Sequence, residues 1–396
     1  MPTLTEKEKK RACRLLADLV GINSTVASTE QADRDRAEEG MARYLTEHLA
    51  AMGMTVNRQE VSPGRPNLIA HWPGQGRGPA LMLASHMDTV PAEGMIVKPF
   101  AATIHDGKMF GRGTCDTKGS MAAFLTALAL ARESDRLPED KLHFVATMSE
   151  ETGCDGARAL MRSGFRTDAA IVGEPTGCEV VTAHKGPVWM EIETVGRSCH
   201  ASTPEQGVNA IEVMSRVVQF VHGPWAEYIQ RREHPLLGRS TSAVTTIEGG
   251  SKINVLPSRC RAQIDGRFIP GWPVDAVIAD FKRMLAAHLG EEGLFSLTRA
   301  VSYGSLDCSP DIPLGRKLLA VCRRVNGQEA PRGVNYFADT GPFSEAGIQS
   351  IIFGPGDAAQ AHTADEFLAL EQLYQATEII LTLLAENAGR SIVASD

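Results

Sequence analysis

Residues 80–180 alternate between strand-length and helix-length apolar runs, and that alternation restricts the fold more than any other property of the chain. "ALMLASHMD", from Ala80, and "KLHFVATM", from Lys141, are short apolar runs. Between them lies "KGSMAAFLTALALARES", from Lys118, which is long enough for a buried helix. "GARALMRSG", from Gly156, reads as a further helix before the strand-like "DAAIVGEPTG". Strands that are apolar throughout and separated by helices predict an α/β layered domain with a largely parallel sheet, because crossover helices cover both sheet faces.

Near residue 186 the order changes. "PVWMEIETVG", "GVNAIEVMSRVVQFVHG", "SAVTTIEGG", "INVLPSRCRAQIDGRFIPG", "VDAVIADFKRMLAAHL" and "LFSLTRAVSY" read in turn as β-α-β-β-α-β, the split-βαβ, ferredoxin-like unit. Then "SIIFGPG" and the helix "LEQLYQATEIILTLLAENA" restore α/β character. The plan is an α/β domain, residues 1–185 and 305–396, with an α+β domain, residues 186–304, inserted in it. A chain of 396 residues is too long for one ordinary core, which agrees with two domains.

The net charge of −8 argues against nucleic acid or an anionic membrane as partner. No apolar run is long enough to span a bilayer, and the amphipathic start "MPTLTEKEKKRACRLLADLV" has no secretory core. Eight scattered cysteines without a CxxC pair suit a reduced, cytoplasmic protein.

Ligands of open α/β sheets gather at the carboxyl ends of strands. His86 and Asp88 close one predicted strand in "SHMDTV". Two residues apart, they share a face, and an acid behind a histidine orients a metal-bound ring. Asp116 lies in "GRGTCDTKG" at the mouth of the long helix. Glu150 and Glu151 follow the strand ending at Met148, where alternation would aim them apart. Glu174 precedes Pro175 at another strand end, and His362 follows the Gly-Pro-Gly turn of "GPGDAAQAHTADE".

Each of these taken alone is ordinarily structural: a solvated acid, an N-cap, a loop histidine. Together they bring two histidines and three carboxylates to one edge. Mixed His and carboxylate donors suit Zn2+, with Co2+ or Mn2+ as alternatives. Five ligand residues exceed what one catalytic zinc needs, and a carboxylate shared between two metals fits the count. Cys115 and Cys199 read as small packing residues.

In order and spacing, these motifs resemble the dizinc metallopeptidase family of acetylornithine deacetylase, succinyl-diaminopimelate desuccinylase, carboxypeptidase G and aminoacylase, from about residue 80 to 370. The resemblance implies a zinc-peptidase-like catalytic domain with a ferredoxin-like lid and dimerisation domain. It implies that Asp116 bridges two zinc ions (Zn2+). His86 and Glu174 would complete one site, Glu151 and His362 the other. Glu150 would be the general base and Asp88 the partner of His86. In the inserted domain it implies that His200 stabilises the oxyanion from the partner subunit of a homodimer. Asn254 and Arg267 would bind the substrate carboxylate, a task suited to the planar guanidinium fork. The implied reaction is hydrolysis of an N-acyl amino acid, acetylornithine deacetylase-like. Desuccinylase-like activity and dipeptide or carboxypeptidase cleavage are the neighbouring alternatives, and a metal-free binding protein is the non-enzymatic one. "NYFADTGPF", from Asn335, occupies the place where relatives read the substrate side chain.

Overall fold

A computed structural model of the chain describes residues 3–26, 37–74, 78–290 and 293–394. The chain forms two compact units: Met1–Thr182 with Asp307–Arg332 and Ala338–Asp396, and Ala183–Leu306 with Gly333–Phe337. The fold is mixed α/β.

In the first unit, the strands Lys141–Thr147, Ala80–His86, Ala169–Val172 and Gln349–Ile352 lie side by side in that order, all parallel. Ala80–His86 and Lys141–Thr147 are buried at every position after the first, and Ala169–Val172 throughout. That burial explains their unbroken apolar sequences. An antiparallel hairpin, Thr55–Ser62 with Arg65–His71, adds to the Lys141–Thr147 edge. The helix Lys118–Glu133 is buried along nearly its whole length, and Leu370–Glu386 shares its core. Among the described residues, no helix is long and apolar enough to cross a membrane. The first helix, Glu6–Val20, begins at a capping box: the Glu8 N–H donates to Thr5 Oγ1, and the Thr5 N–H donates to Glu8 Oε2.

Register decides where chemistry can gather. His86 pairs with Thr147, Ala84 with Val172, and Ile352 with Val172. The four parallel strands therefore end at one edge, and the segments leaving them carry Asp88, Glu150, Glu151, Glu174 and His362.

The second unit is the β-α-β-β-α-β arrangement. Its antiparallel sheet runs Thr241–Gly249, Arg259–Phe268, Gly186–Val195, Phe295–Ser302. Strand residues alternate inward and outward; Val188, Met190, Ile192, Ala262 and Ile264 meet Phe220, Trp225, Phe281 and Leu285 from the helical side. Two boundaries differ from the sequence reading. Ile253–Ser258 is not strand; the ladder starts at Arg259, after a turn ahead of Pro257. The helix starts at Ala210 rather than Gly207, because Asn209 caps it by accepting the Ile211 N–H at 3.0 Å.

Candidate metal centre

The glutamate pair does not sit on a strand. The ladder ends at Thr147, Ser149 takes a left-handed φ of 62°, and Glu150–Gly153 forms a single helical turn. The two side chains still diverge, since successive helical residues are rotated by about 100°. Glu151 Oε2 lies 3.0 Å from His362 Nε2. Glu150 is buried beside it, 7% exposed.

Asp88 stands beside the His86 ring, and its backbone also takes part. The His86 Nδ1–H donates to the Asp88 backbone carbonyl at 2.8 Å, while the carboxylate stands 3.6 Å away. A carbonyl only accepts, so this bond fixes the tautomer and leaves the Nε2 lone pair free to bind a cation. The Asp88 carboxylate instead accepts the N–H groups of Glu150 and Glu151, each at 3.1 Å. It anchors the glutamate turn more directly than it anchors the ring.

Asp116 is the meeting point. Its Oδ1 lies 3.1 Å from His86 Nε2 and its Oδ2 3.3 Å from His362 Nε2. His86, Asp116 and Glu151 offer ligand atoms within 4.8 Å of one another. Glu174 is 4% exposed, and its Oε1 has no hydrogen-bond partner among the described residues. A buried, unpaired carboxylate oxygen is costly, and a divalent cation is the partner that would satisfy it. The donor set, imidazole nitrogens with carboxylate oxygens, fits a metal of the zinc type.

Charge follows geometry. Burial, then the neighbouring Glu174, pushes the Glu150 carboxyl well above the usual range. Burial and then Asp116 push Glu174 up likewise. Burial and Asp116 together take Glu151 to about 7 despite His362. For Asp116 burial works upward, but hydrogen bonds from His362 and His86 outweigh it and hold the carboxyl low. His362 is raised to about 10 by its hydrogen bonds to Asp116 and then Glu151. So many acids in one buried volume repel one another unless cations lie between them.

Sequence reasoning missed the supports of this centre. Glu38 is fully buried; its carboxylate accepts Arg65 Nε at 2.7 Å, Arg65 Nη2 at 2.5 Å and the Ser149 N–H at 3.2 Å. Asn67 Oδ1 accepts the Met148 N–H at 3.1 Å. Asp339 accepts Thr147 Oγ1–H at 2.6 Å, and burial pushes its carboxyl up to about 6. Removing Glu38 strands a buried guanidinium. Glu38→Ala is expected to cost about 3–5 kcal/mol in urea unfolding; a loss near zero would mean that Arg65 finds water.

"NYFADTGPF" divides between the units: Asn335–Phe337 belongs to the second and Ala338–Phe343 to the first. Cys115 is buried and donates to the Asp357 carbonyl at 3.2 Å, as a packing residue would. His200, Asn254 and Arg267 all lie in the second unit. The His200 and Asn254 loops are joined: the Ala201 N–H donates to the Asn254 carbonyl at 3.0 Å, and His200 bridges Val255. His200 is exposed, its Nδ1 2.7 Å from Ser202 Oγ. Arg267 forks onto Asp265, two residues back on the same strand face, with Nε at 2.8 Å and Nη2 at 2.9 Å.

The chain is similar to acetylornithine deacetylase of Proteus mirabilis, 32% identical over 91% of this chain and 92% of that one. It is similar to a probable succinyl-diaminopimelate desuccinylase of Staphylococcus epidermidis, 28% identical over 93% and 95%. Among solved structures, a tripeptidase from Staphylococcus aureus shares the fold, with a TM-score of 0.79 and 21% identity over 96% of this chain and 98% of that one. The family model for peptidase family M20/M25/M40 matches residues 82–386. A match over most of the chain, on a fold that gathers a histidine–carboxylate centre at its strand ends, makes the chain a member of peptidase family M20/M25/M40, a metal-dependent amide-bond hydrolase.

Proposed function

We propose that the chain removes the acyl group from an N-acyl amino acid, as acetylornithine deacetylases do, with two divalent cations at the centre around Asp116. The observation that carries this reading is Asp116 itself, with one carboxylate oxygen toward His86 and the other toward His362. His86, Asp116 and Glu174 would hold one ion; Asp116, Glu151 and His362 the other. Zn2+ is the first choice, with Co2+ or Mn2+ able to serve. When bound, such cations lower the pKa of water and polarise the scissile carbonyl. Glu150 accepts the proton of the attacking water and passes it to the departing nitrogen. Asp88 holds the turn that aims Glu150. Arg267, steadied by Asp265, and Asn254 receive the substrate carboxylate, and His200 donates to the oxyanion. Eight free thiols suit a reducing cytoplasm.

Substrate choice is tested by a screen of N-acetyl, N-succinyl and N-formyl amino acids and dipeptides with added Zn2+ or Co2+. Highest kcat/KM on an N-acetyl amino acid is expected. Preference for N-succinyl substrates would move the chain to desuccinylase-like activity, and preference for dipeptides to peptidase activity.

The working form is read as a homodimer built through the second unit, which acts as a lid. Supporting this, the edge strand Thr241–Gly249 is exposed along most of its length, with Ile247 56% exposed, and Ile211 and Ile253 are exposed on the same unit. An open, partly apolar edge strand is a ready pairing surface. Mixing inactive Glu150→Gln and His200→Ala chains under subunit exchange is expected to restore at most roughly a quarter of wild-type activity, one complete site per mixed dimer under random exchange. No recovery despite proven exchange would place His200 in its own chain's site or in none.

A further inference from the structure

The strand Phe367–Ala369 pairs antiparallel with Lys108–Phe110, Phe367 opposite Phe110. One step along that ladder Glu366 comes opposite Gly111, whose N–H donates to the Glu366 carbonyl at 3.0 Å. Each strand leads to a ligand: one runs on through residues 111–115 to Asp116, and the other is preceded by His362.

The Glu366 side chain is 1% exposed. Its Oε2 accepts from Arg112 Nη1 at 2.7 Å and from the Gly113 N–H at 3.0 Å. Its Oε1 accepts from the Cys115 N–H at 2.9 Å and the Asp116 N–H at 3.2 Å. Backbone amides that converge in this way form a concave anion site. Without the carboxylate they would be buried, unpaired donors, each costly. Gly113 permits the turn at a φ of +85°, where a Cβ would lie 2.8 Å from Thr89 Cγ2.

We propose that Glu366 is a positioning residue of the metal centre: its carboxylate holds the 113–116 backbone and so sets Asp116 between His86 and His362. The proposal rests on Asp116 being the shared ligand. Any shift of the Cys115–Asp116 peptide moves both Asp116 oxygens together, so one buried carboxylate governs both halves of the centre. The same short stretch carries His362, so Glu366 also sets the spacing between ligands from distant parts of the chain.

The test uses the full chain loaded with Co2+ alone. Glu366→Gln keeps the shape but turns an amide N–H2 toward donors at one end of the carboxylate. Expected are a roughly 10–100-fold loss of Co2+ affinity, an altered Co2+ visible spectrum, and a lower kcat with KM nearly kept at saturating metal. Glu366→Asp keeps the charge beside Arg112 but draws it back by one methylene. It should show the same changes more weakly, and it is the variant to read should the glutamine protein not fold. Wild-type Co2+ affinity and spectrum in a folded variant, even one with a lower unfolding temperature, would make Glu366 a structural residue only and overturn the proposal. Asp116→Asn is the separate control. Full metal content in that variant would overturn the shared-ligand reading itself, whatever the Glu366 variants do.

Discussion

Glu150→Gln is expected to keep its metal and lose turnover, with kcat falling roughly 10²–10⁴-fold, the usual cost of removing a general base. The amide has the size and reach of the acid but no lone pair basic enough to take a proton from water. Glu150 is buried, and it follows Ser149, whose left-handed backbone turns it away from the strand. Burial, then the neighbouring Glu174, raises its carboxyl well above the ordinary range, the direction of shift that suits a general base. KM should move little, because the lost interaction belongs to the transition state. The neighbouring Glu151→Gln should behave in the opposite sense. Its side chain meets His362 at 3.0 Å, so it should lose metal first and activity as a consequence. Metal analysis beside kcat separates the two; near-normal kcat in Glu150→Gln, or full metal in Glu151→Gln, would reverse the assignment of the pair.

The parallel strands were legible because they are buried on both faces, so "KLHFVAT" and "ALMLASH" stand out as apolar runs. The helix Val274–Leu289 carries its own punctuation, Pro273 before it and the left-handed Gly290 after it. The hairpin strand Thr55–Ser62 was not legible: "TVNRQEVS" is polar and nowhere fully buried, with no apolar alternation. The candidate metal-ligand residues could be picked out because His and carboxylate types recur at strand ends. Their supports could not. Glu38 acts on Ser149, and Glu366 on Asp116, across long stretches of sequence, and neither carries a local pattern. The helical turn at Glu150, where strand alternation was expected, has the same origin. A non-glycine residue in the left-handed region, as at Ser149, is imposed by the surroundings rather than by its own propensity.

Removing the metal should abolish activity reversibly and should also tilt the pH dependence of stability. In the metal-free chain, Glu151 titrates at about 7 against an ordinary value of 4.5. Glu150 and Glu174 are raised in the same direction, both by burial first, then by the charge of Glu174 on Glu150 and of Asp116 on Glu174. A carboxyl raised on folding contributes stability that is complete below its unfolded pKa and is lost as pH climbs through the folded one. His362, raised to about 10, follows the same sign higher up: its contribution is complete below its ordinary value of 6.5 and fades toward 10. Asp116 has the opposite sign, but it is held low and changes only in strong acid. Across neutral pH the metal-free chain should therefore weaken steadily. Cations reverse this, because they bind deprotonated ligands and release protons on binding, so their affinity rises with pH. The gap in unfolding temperature between the Zn2+-loaded and chelated protein should widen by several degrees from about pH 5.5 to about pH 8.5, given ~2–4 °C per kcal/mol for domains of this size. Calorimetry of both forms across that range is the measurement. A constant or narrowing gap would mean that these carboxylates do not meet the metal, and full activity in a verified metal-free sample would remove metal from the reaction altogether.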